Sequence, residues 1–221
     1  MKNRINAFFT AEEIRLEDFD NEIWRQAESV EINRYWSGES APAERCASAR
    51  ILWSENRLFV RFDCRQAEPF VINRKPNLDA EAAELWERDV CEIFIAPDLN
   101  APEKYYEFEI APTGEWLDFA IRQLPEKRET DKTYNAGMKT AARIGENSFT
   151  VVFSVEFERA FGRKPKAGEI WRTNLFRCVG SGETRGYLAW QPTFTETPGF
   201  HVPAVFGYLN FEKNRPQMTQ I

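Results

Sequence analysis

Three observations predict an all-β fold, an antiparallel β-sandwich with a few short helices. Strand-like runs recur at short spacing, turn-forming clusters separate them, and helical periodicity is scarce. The first element, "DNEIWRQA" (20–27), has one or two turns of helical pattern. "ARILWSENRLFVRFD" (49–63) alternates on both sides of a short turn and predicts a hairpin. "LDAEAAELWE" (78–87) holds good helix formers after Asp79, a candidate cap. Strands are then expected over 89–97, 105–112, 115–121, 136–144 and 148–156. In the last of these Phe149, Val151, Phe153 and Val155 share one face at a period of two. A short helix over 155–162 ends at Gly162, and strands follow over 168–179, 186–192 and 206–211. The turns between them are "PDLNAPEK", "PTGE", "GENS", "RKPKAGE" and "GSGETRG". No helical run is long enough to cross over a parallel sheet, which is why the expected sheets are antiparallel.

The 221 residues contain no repeat, linker or low-complexity stretch, so a single domain over 1–221 is expected, with its core at about 16–211. Seven Trp, eighteen Phe and six Tyr are enough to build a β core and still leave rings for a binding face. The net charge of −6 comes without any Lys/Arg-rich run, which argues against a nucleic-acid partner. No apolar stretch approaches the roughly 18 residues of a membrane span, so no membrane partner is expected. The first 20 residues have a basic start and no apolar h-region. No signal peptide is expected, which fits a cytoplasmic protein or the leaderless form of a secreted one.

Cys46, Cys64, Cys91 and Cys178 have no CxxC spacing, so a zinc site is not expected. Cys46 and Cys64 flank the hairpin and would face each other across it, either as small buried thiols or as a disulfide.

Four stretches carry a family likeness. "LEDFDNEIWRQAESVEI" has a short acidic turn, then a Trp, then a strand; "LWERDVCEIFIAP" precedes "YYEFEIAPTGEWLDF". "FTVVFSVEFERAFGRKPKAGEIWRTNLFR" contains Gly-x-x-Trp-x-x-Asn-x-x-Arg, and "LAWQPTFTETPGFHVPAVFGYLNF" closes the chain with Trp-x-Pro and Phe-His-x-Pro-x-x-Phe-Gly. Taken in this order, they resemble the family 9 carbohydrate-binding modules, the sugar-binding branch of the DOMON-like β-sandwich group. The resemblance spans about residues 16–211. It implies an immunoglobulin-like β-sandwich that binds a mono- or oligosaccharide without catalysis, with calcium as an optional structural ion. It further implies a sugar clamped between two tryptophans, matched here by Trp86 and Trp190, with Glu92 reading hydroxyls.

The residues themselves leave alternatives open. Trp86 lies where helix passes into strand, and Trp190 lies at a strand end before Gln191; each either lines a site or packs. Trp24, Trp53, Trp116 and Trp171 sit within apolar patterns and read as core, whereas Trp36 reads as a loop anchor. Glu92 shares strand parity with Val90 and Phe94, so alternation buries it, either in an ion pair with Arg172 or Arg177 or facing a ligand. Ile93, Phe94 and Ile95 read as sandwich core. Glu107 and Glu109 share one face of their strand and, beside Glu92, would gather three carboxylates able to bind hydroxyls or a calcium ion. Asp89 reads as a contact at the strand start, and His201 either bonds a loop or joins Gln191 at the ligand.

Two other functions stay open, the second because the resemblance extends to DOMON-like domains, some of which hold b-type haem. A glycoside-active enzyme would take its carboxylate pair from Asp89, Glu92, Glu107 and Glu109. A haem-binding electron carrier would need His201 with Met138, Met1 or Met218 as axial ligands. One histidine excludes a multi-His metal site, and G-x-S-x-G, P-loop and dinucleotide motifs are absent.

Overall fold

The computed structural model describes residues 3–213. Among them are fourteen strands: β1 Arg4–Phe9, β2 Ser29–Ile32, β3 Arg34–Tyr35, β4 Ala47–Trp53, β5 Arg57–Arg65, β6 Val90–Ala96, β7 Lys104–Ile110, β8 Trp116–Gln123, β9 Arg128–Asp131, β10 Lys139–Ile144, β11 Ser148–Glu156, β12 Ile170–Val179, β13 Gly186–Ala189 and β14 Gly207–Glu212. The helices are short, α1 Glu22–Arg25 and α2 Phe157–Phe161. The expected helix over 78–87 shrinks to a single 3-10 turn, Leu85–Glu87, entered through Glu84 in the left-handed region. Without an apolar stripe to bury, its run of Ala and Glu had no surface against which to hold a longer helix.

One layer has the order β10-β11-β5-β4, with β2 beside β4. The other runs β14-β12-β6-β7-β8-β9, with β13 pairing the free half of β12. β1 joins the two, pairing β14 along Arg4–Phe8 and β4 at Phe8 and Phe9. Both of its pairings are parallel, the one departure from the expected antiparallel sandwich. Its short amphiphilic run "RINAFF" lies far from either partner in sequence, so no turn could have announced it.

Alternation decides what lies between the layers. Ile93 and Ile95 of β6, Phe108 and Ile110 of β7, and Leu175 of β12 point inward and meet Ile51, Val60, Phe62, Val151 and Phe153 of the first layer. Trp53, Trp116 and Trp171 join this core, and Trp24 packs in a satellite cluster with Phe8, Leu52 and Phe59. Phe94 departs from the expected core. It lies on the outer face of the second layer, in a separate cluster with Phe176, Tyr105, Phe119, Phe200 and Phe206. A strand covered on both faces reads as a continuous apolar run, which is why "EIFIA" did not reveal that two clusters share it.

The thiols differ from the hairpin expectation. Cys64 sits 3.3 Å from Cys91 across the sandwich, and both are buried. Cys46 lies just outside β4, its thiol donating to the Pro42 carbonyl at 3.3 Å, while Ala47 is the residue opposite Cys64. The offset of one residue turned the expected facing pair apart.

Candidate functional site

The outer face of the second layer carries a cavity of about 350 Å³. Its placement follows from register. Glu92 pairs with Glu109 across β6 and β7, and Phe94 pairs with Glu107, which in turn pairs with Phe119 of β8. On the other side Phe176 pairs with Glu92, and Cys178 pairs with Tyr187 of β13. Directly paired residues share a face. Tyr187, Cys178, Glu92, Glu107 and Phe119 therefore lie along one outer surface, with the carboxyls in the middle and rings toward either side.

Two segments complete the walls. The turn at Leu85–Glu87 plugs Leu85 into the outer cluster and leaves Trp86 38% exposed over Phe119, with ring centroids 6.3 Å apart. Arg185 fixes this turn through hydrogen bonds to the Trp86 and Arg88 carbonyls. Asp89 holds it from below: its carboxylate accepts from the Val71 and Gly180 amides at 2.8 Å each and from the Gln66 side chain at 2.5 Å. That is the structural role at the strand start. The second segment, 191–206, brings Phe200 onto Phe176 in a stacked pair at 4.1 Å and His201 onto Phe94 at 5.0 Å. Trp36 anchors this segment, its indole donating to the Thr195 carbonyl at 3.1 Å while its ring meets Tyr187 edge-on. Arg128 and Lys132 reach the mouth from β9 and the residues after it.

The floor is acidic. Oxygens of Glu92, Glu107 and Glu109 lie within 4.8 Å of one another, and all three residues are buried. Burial pushes the Glu92 carboxyl up to about 8, and the charge of Glu107 adds to the shift. Burial raises Glu107 to about 7 against smaller opposing effects of the Glu109 contact and Arg128. Glu109 is driven well above the usual carboxylate range, by burial first and then by its two neighbours. Like charges this close do not all ionise together, so the trio holds protons near neutrality. Donors are few: the Cys178 thiol reaches Glu92 at 3.5 Å, and neither Glu109 oxygen has a donor of its own. The ion pair expected between Glu92 and Arg172 or Arg177 does not form. Arg177 lies on the inner face and donates to the Arg45, Cys46 and Arg65 carbonyls and to Gln66. Arg172 donates to the Phe206 and Gly207 carbonyls.

His201 lines the cavity, and its Nδ1 shares a 2.8 Å hydrogen bond with the Tyr105 hydroxyl. Burial, then Arg128, lowers its pKa to about 3, so the ring is neutral. Nε2 remains as its second polar atom.

Trp190 is the main correction. It is 5% exposed, packs in the inner core and does not line the cavity. Parity is the reason. Tyr187 and Ala189 face outward with Cys178 and Phe176, so Leu188 and Trp190 must face inward. A Cβ at Gly207 would come within 2.6 Å of the Trp190 ring, so the glycine leaves the space this ring fills. Gln191 is tied at its backbone to the Asn174 side chain and also lies outside the lining. The expected set thus brings Trp86, Glu92, Glu107 and His201 to the cavity, sets Glu109 just beneath its floor, and leaves Trp190 and Gln191 away from it. Sequence reasoning missed Tyr187, Phe200 and Phe119. For Tyr187 the signal was present, since "YLAW" alternates and Leu188 marks the core face.

Calcium takes six to eight oxygen ligands, usually a mixture of carboxylate, carbonyl and water. The side chains paired directly with the trio are Phe94, Phe119, Phe176 and Leu117, and the Tyr105 and Tyr187 hydroxyls lie farther along the same face. The three carboxyls supply part of such a shell. For haem, Met138 is buried in the inner core, away from His201 on the outer face, and Met1 and Met218 lie outside the described residues.

The family model described as carbohydrate family 9 binding domain-like matches residues 18–214. An endo-1,4-β-xylanase A of Thermotoga maritima is 25% identical over 195 residues, which is 87% of this chain; the chain spans 16% of that protein's length. An extracellular protein of Arthroderma benhamiae is 22% identical over 176 residues, covering 73% of this chain and 77% of its own. Among solved structures, a family 9 carbohydrate-binding module of Caldicellulosiruptor kristjanssonii in complex with glucose superposes with a TM-score of 0.67 at 14% identity, covering 98% of this chain and 100% of that one. The same organism's module in complex with cellotriose gives 0.66 at 15%, over 99% and 97%.

Proposed function

The chain belongs to the carbohydrate family 9 binding domain-like family, and from that premise we propose that it binds a carbohydrate without catalysis in the cavity between Trp86 and Phe200. The observation that carries this reading is the combination on the outer face: rings on two sides and carboxyls on the floor between them. Sugar rings present C–H faces to aromatic walls and hydroxyls to polar floors, and the 350 Å³ cavity is at the small end of ligand sites. The ligand is a terminal sugar or short oligosaccharide. Trp86 supplies the stacking face, Glu92 and Glu107 meet hydroxyls, and His201 offers its remaining nitrogen.

The non-catalytic reading is supported by the arrangement of the carboxyls. Glycosidases set two of them on either side of the scissile bond, about 5–5.5 or 6.5–9.5 Å apart. Here they stand side by side on one floor within 4.8 Å, and the walls opposite are rings.

Trp86 is the tryptophan that lines the cavity, so titration with glucose and cello-oligosaccharides should quench or blue-shift part of the tryptophan fluorescence. That change should vanish in Trp86→Ala. A glycan array and calorimetric titrations that find no carbohydrate ligand would reject the reading.

A further inference from the structure

The carboxyl trio lacks a cation. Among the described residues no Arg, Lys or His makes an ion pair with Glu92, Glu107 or Glu109, although arginines elsewhere in the fold are paired. The groups around the trio are the Cys178 thiol, the apolar side chains of Phe94, Phe176, Leu117 and Phe119, and Tyr105, whose hydroxyl is committed to His201. Glu109 is fully buried directly behind the floor, and no group outside the trio donates to either of its oxygens. Buried acceptors without donors are costly, and a buried carboxyl group without a counter-charge more so. The charged groups around the cavity, Arg185 toward Glu92 and Arg128, Lys132 and Glu87 at the mouth, act on the trio without forming an ion pair. His201 is neutral and committed to Tyr105 through one nitrogen.

A sugar hydroxyl brings one donor and no charge. A protonated primary amine brings three donors, no acceptor and a positive charge. Hydrogen bonds between two ionised groups are about twice as strong as neutral ones. An ammonium group supplies the counter-charge that the buried carboxyl cluster lacks, so carboxyls that hold protons in its absence ionise and accept from it.

We propose that the preferred ligand is an amino sugar, whose ammonium group rests on Glu92 and Glu107 with Glu109 behind them. This rests on the sugar-binding reading above and goes beyond it by naming the charge of the ligand. Rings on the walls hold the pyranose faces, and the rim cations keep the amine at the floor rather than at the mouth.

The test is calorimetric titration of the whole chain at neutral pH with three sugars of one stereochemistry: glucose, glucosamine and N-acetylglucosamine. Glucosamine is expected to bind about tenfold tighter than glucose, which corresponds to one additional charge-assisted contact. N-acetylglucosamine, which keeps the nitrogen but loses the charge, should bind no tighter than glucose. In Glu107→Gln and, separately, Glu92→Gln, the glucosamine-to-glucose ratio should fall to about twofold or less. Equal affinity for glucose and glucosamine would overturn the proposal and leave sugar binding standing. Failure of every sugar to bind would overturn both. A calcium-dependent rise in melting temperature that is lost in the Glu107→Gln variant would assign the trio to a metal and also overturn it.

Discussion

The two faces of β6, β7 and β8 are built from alternate residues of the same strands and are almost equally buried, yet they differ in how their polar groups are satisfied. On the inner face Ile93, Ile95, Phe108 and Ile110 meet the opposite layer, Asp118 accepts from the Ala136 amide, and Arg177 of the neighbouring β12 spends its Nη atoms on four acceptors. On the outer face Glu92, Glu107 and Glu109 are packed among rings with a single thiol as donor. Degree of burial does not separate core from site here. Clustering of carboxyls does: single buried atoms such as Arg177 Nε and Trp24 Nε1 also lack partners, but the outer face gathers three carboxyls without a counter-charge.

The largest expected effect comes from the inner face. Trp190→Ala should lower the free energy of unfolding by about 3–5 kcal/mol in urea denaturation, since its ring fills the space beside Gly207. Gly207→Ala should cost about 1–3 kcal/mol by overpacking, because its new Cβ would meet both that ring and the Asn3 carbonyl. If Trp190→Ala instead removed sugar binding while leaving stability intact, the division between the faces would be broken.

Trp86→Ala should do the reverse. It should weaken glucose binding about tenfold or more by calorimetry and change stability by less than about 1 kcal/mol, because the side chain is already 38% exposed.

Titration gives a third contrast. A glutamate in the unfolded chain ionises near 4.3, whereas Glu92 keeps its proton to about 8 and Glu107 to about 7 in the fold. The folded state therefore binds more protons between these values. The stability they contribute is complete below the unfolded pKa and is lost as pH rises toward 8. His201, lowered to about 3, acts in the opposite direction and only below about 6.5, because its stabilising neutral form is lost as pH falls. Asp118, an inner-face carboxyl held up to about 7 by burial, titrates in the same window as the glutamates. The informative quantity is therefore the difference between wild type and Glu92→Gln. Denaturation midpoints from pH 6.5 to 8 should fall less steeply in the variant, by at most about 1.4 kcal/mol per pH unit.

The smallest effect should come from Trp36→Phe, which removes the indole donor to Thr195. About 1 kcal/mol or less of stability is at stake. The affinity should drop a few-fold, because the segment carrying Phe200 and His201 is less firmly held.

Much of this was legible in the chain. Short strands with intervening turns point to the sandwich, and the parity of Glu92, Glu107 and Glu109 along their strands is enough to gather the carboxyls. Trp24, Trp53, Trp116 and Trp171 read correctly as core. The second ring wall was not legible, because Phe200 reaches the site through an irregular segment whose path has no periodicity. Trp190 drew attention by residue type and position at a strand end, although the parity of Leu188 already placed it inside.

The sequence by itself determined which residues share a face, because side-chain direction in a strand is fixed by a period of two. It also fixed membership of the family, since collinear motifs survive at low identity. Only the tertiary structure decided which face meets the other layer and which carries the cavity. That choice depends on β1 bridging two distant strands and on two loops, 66–89 and 191–206, closing over the outer side. Pairings between segments so far apart leave no local trace, since each is selected by the surface its partners bury and not by the residues beside it.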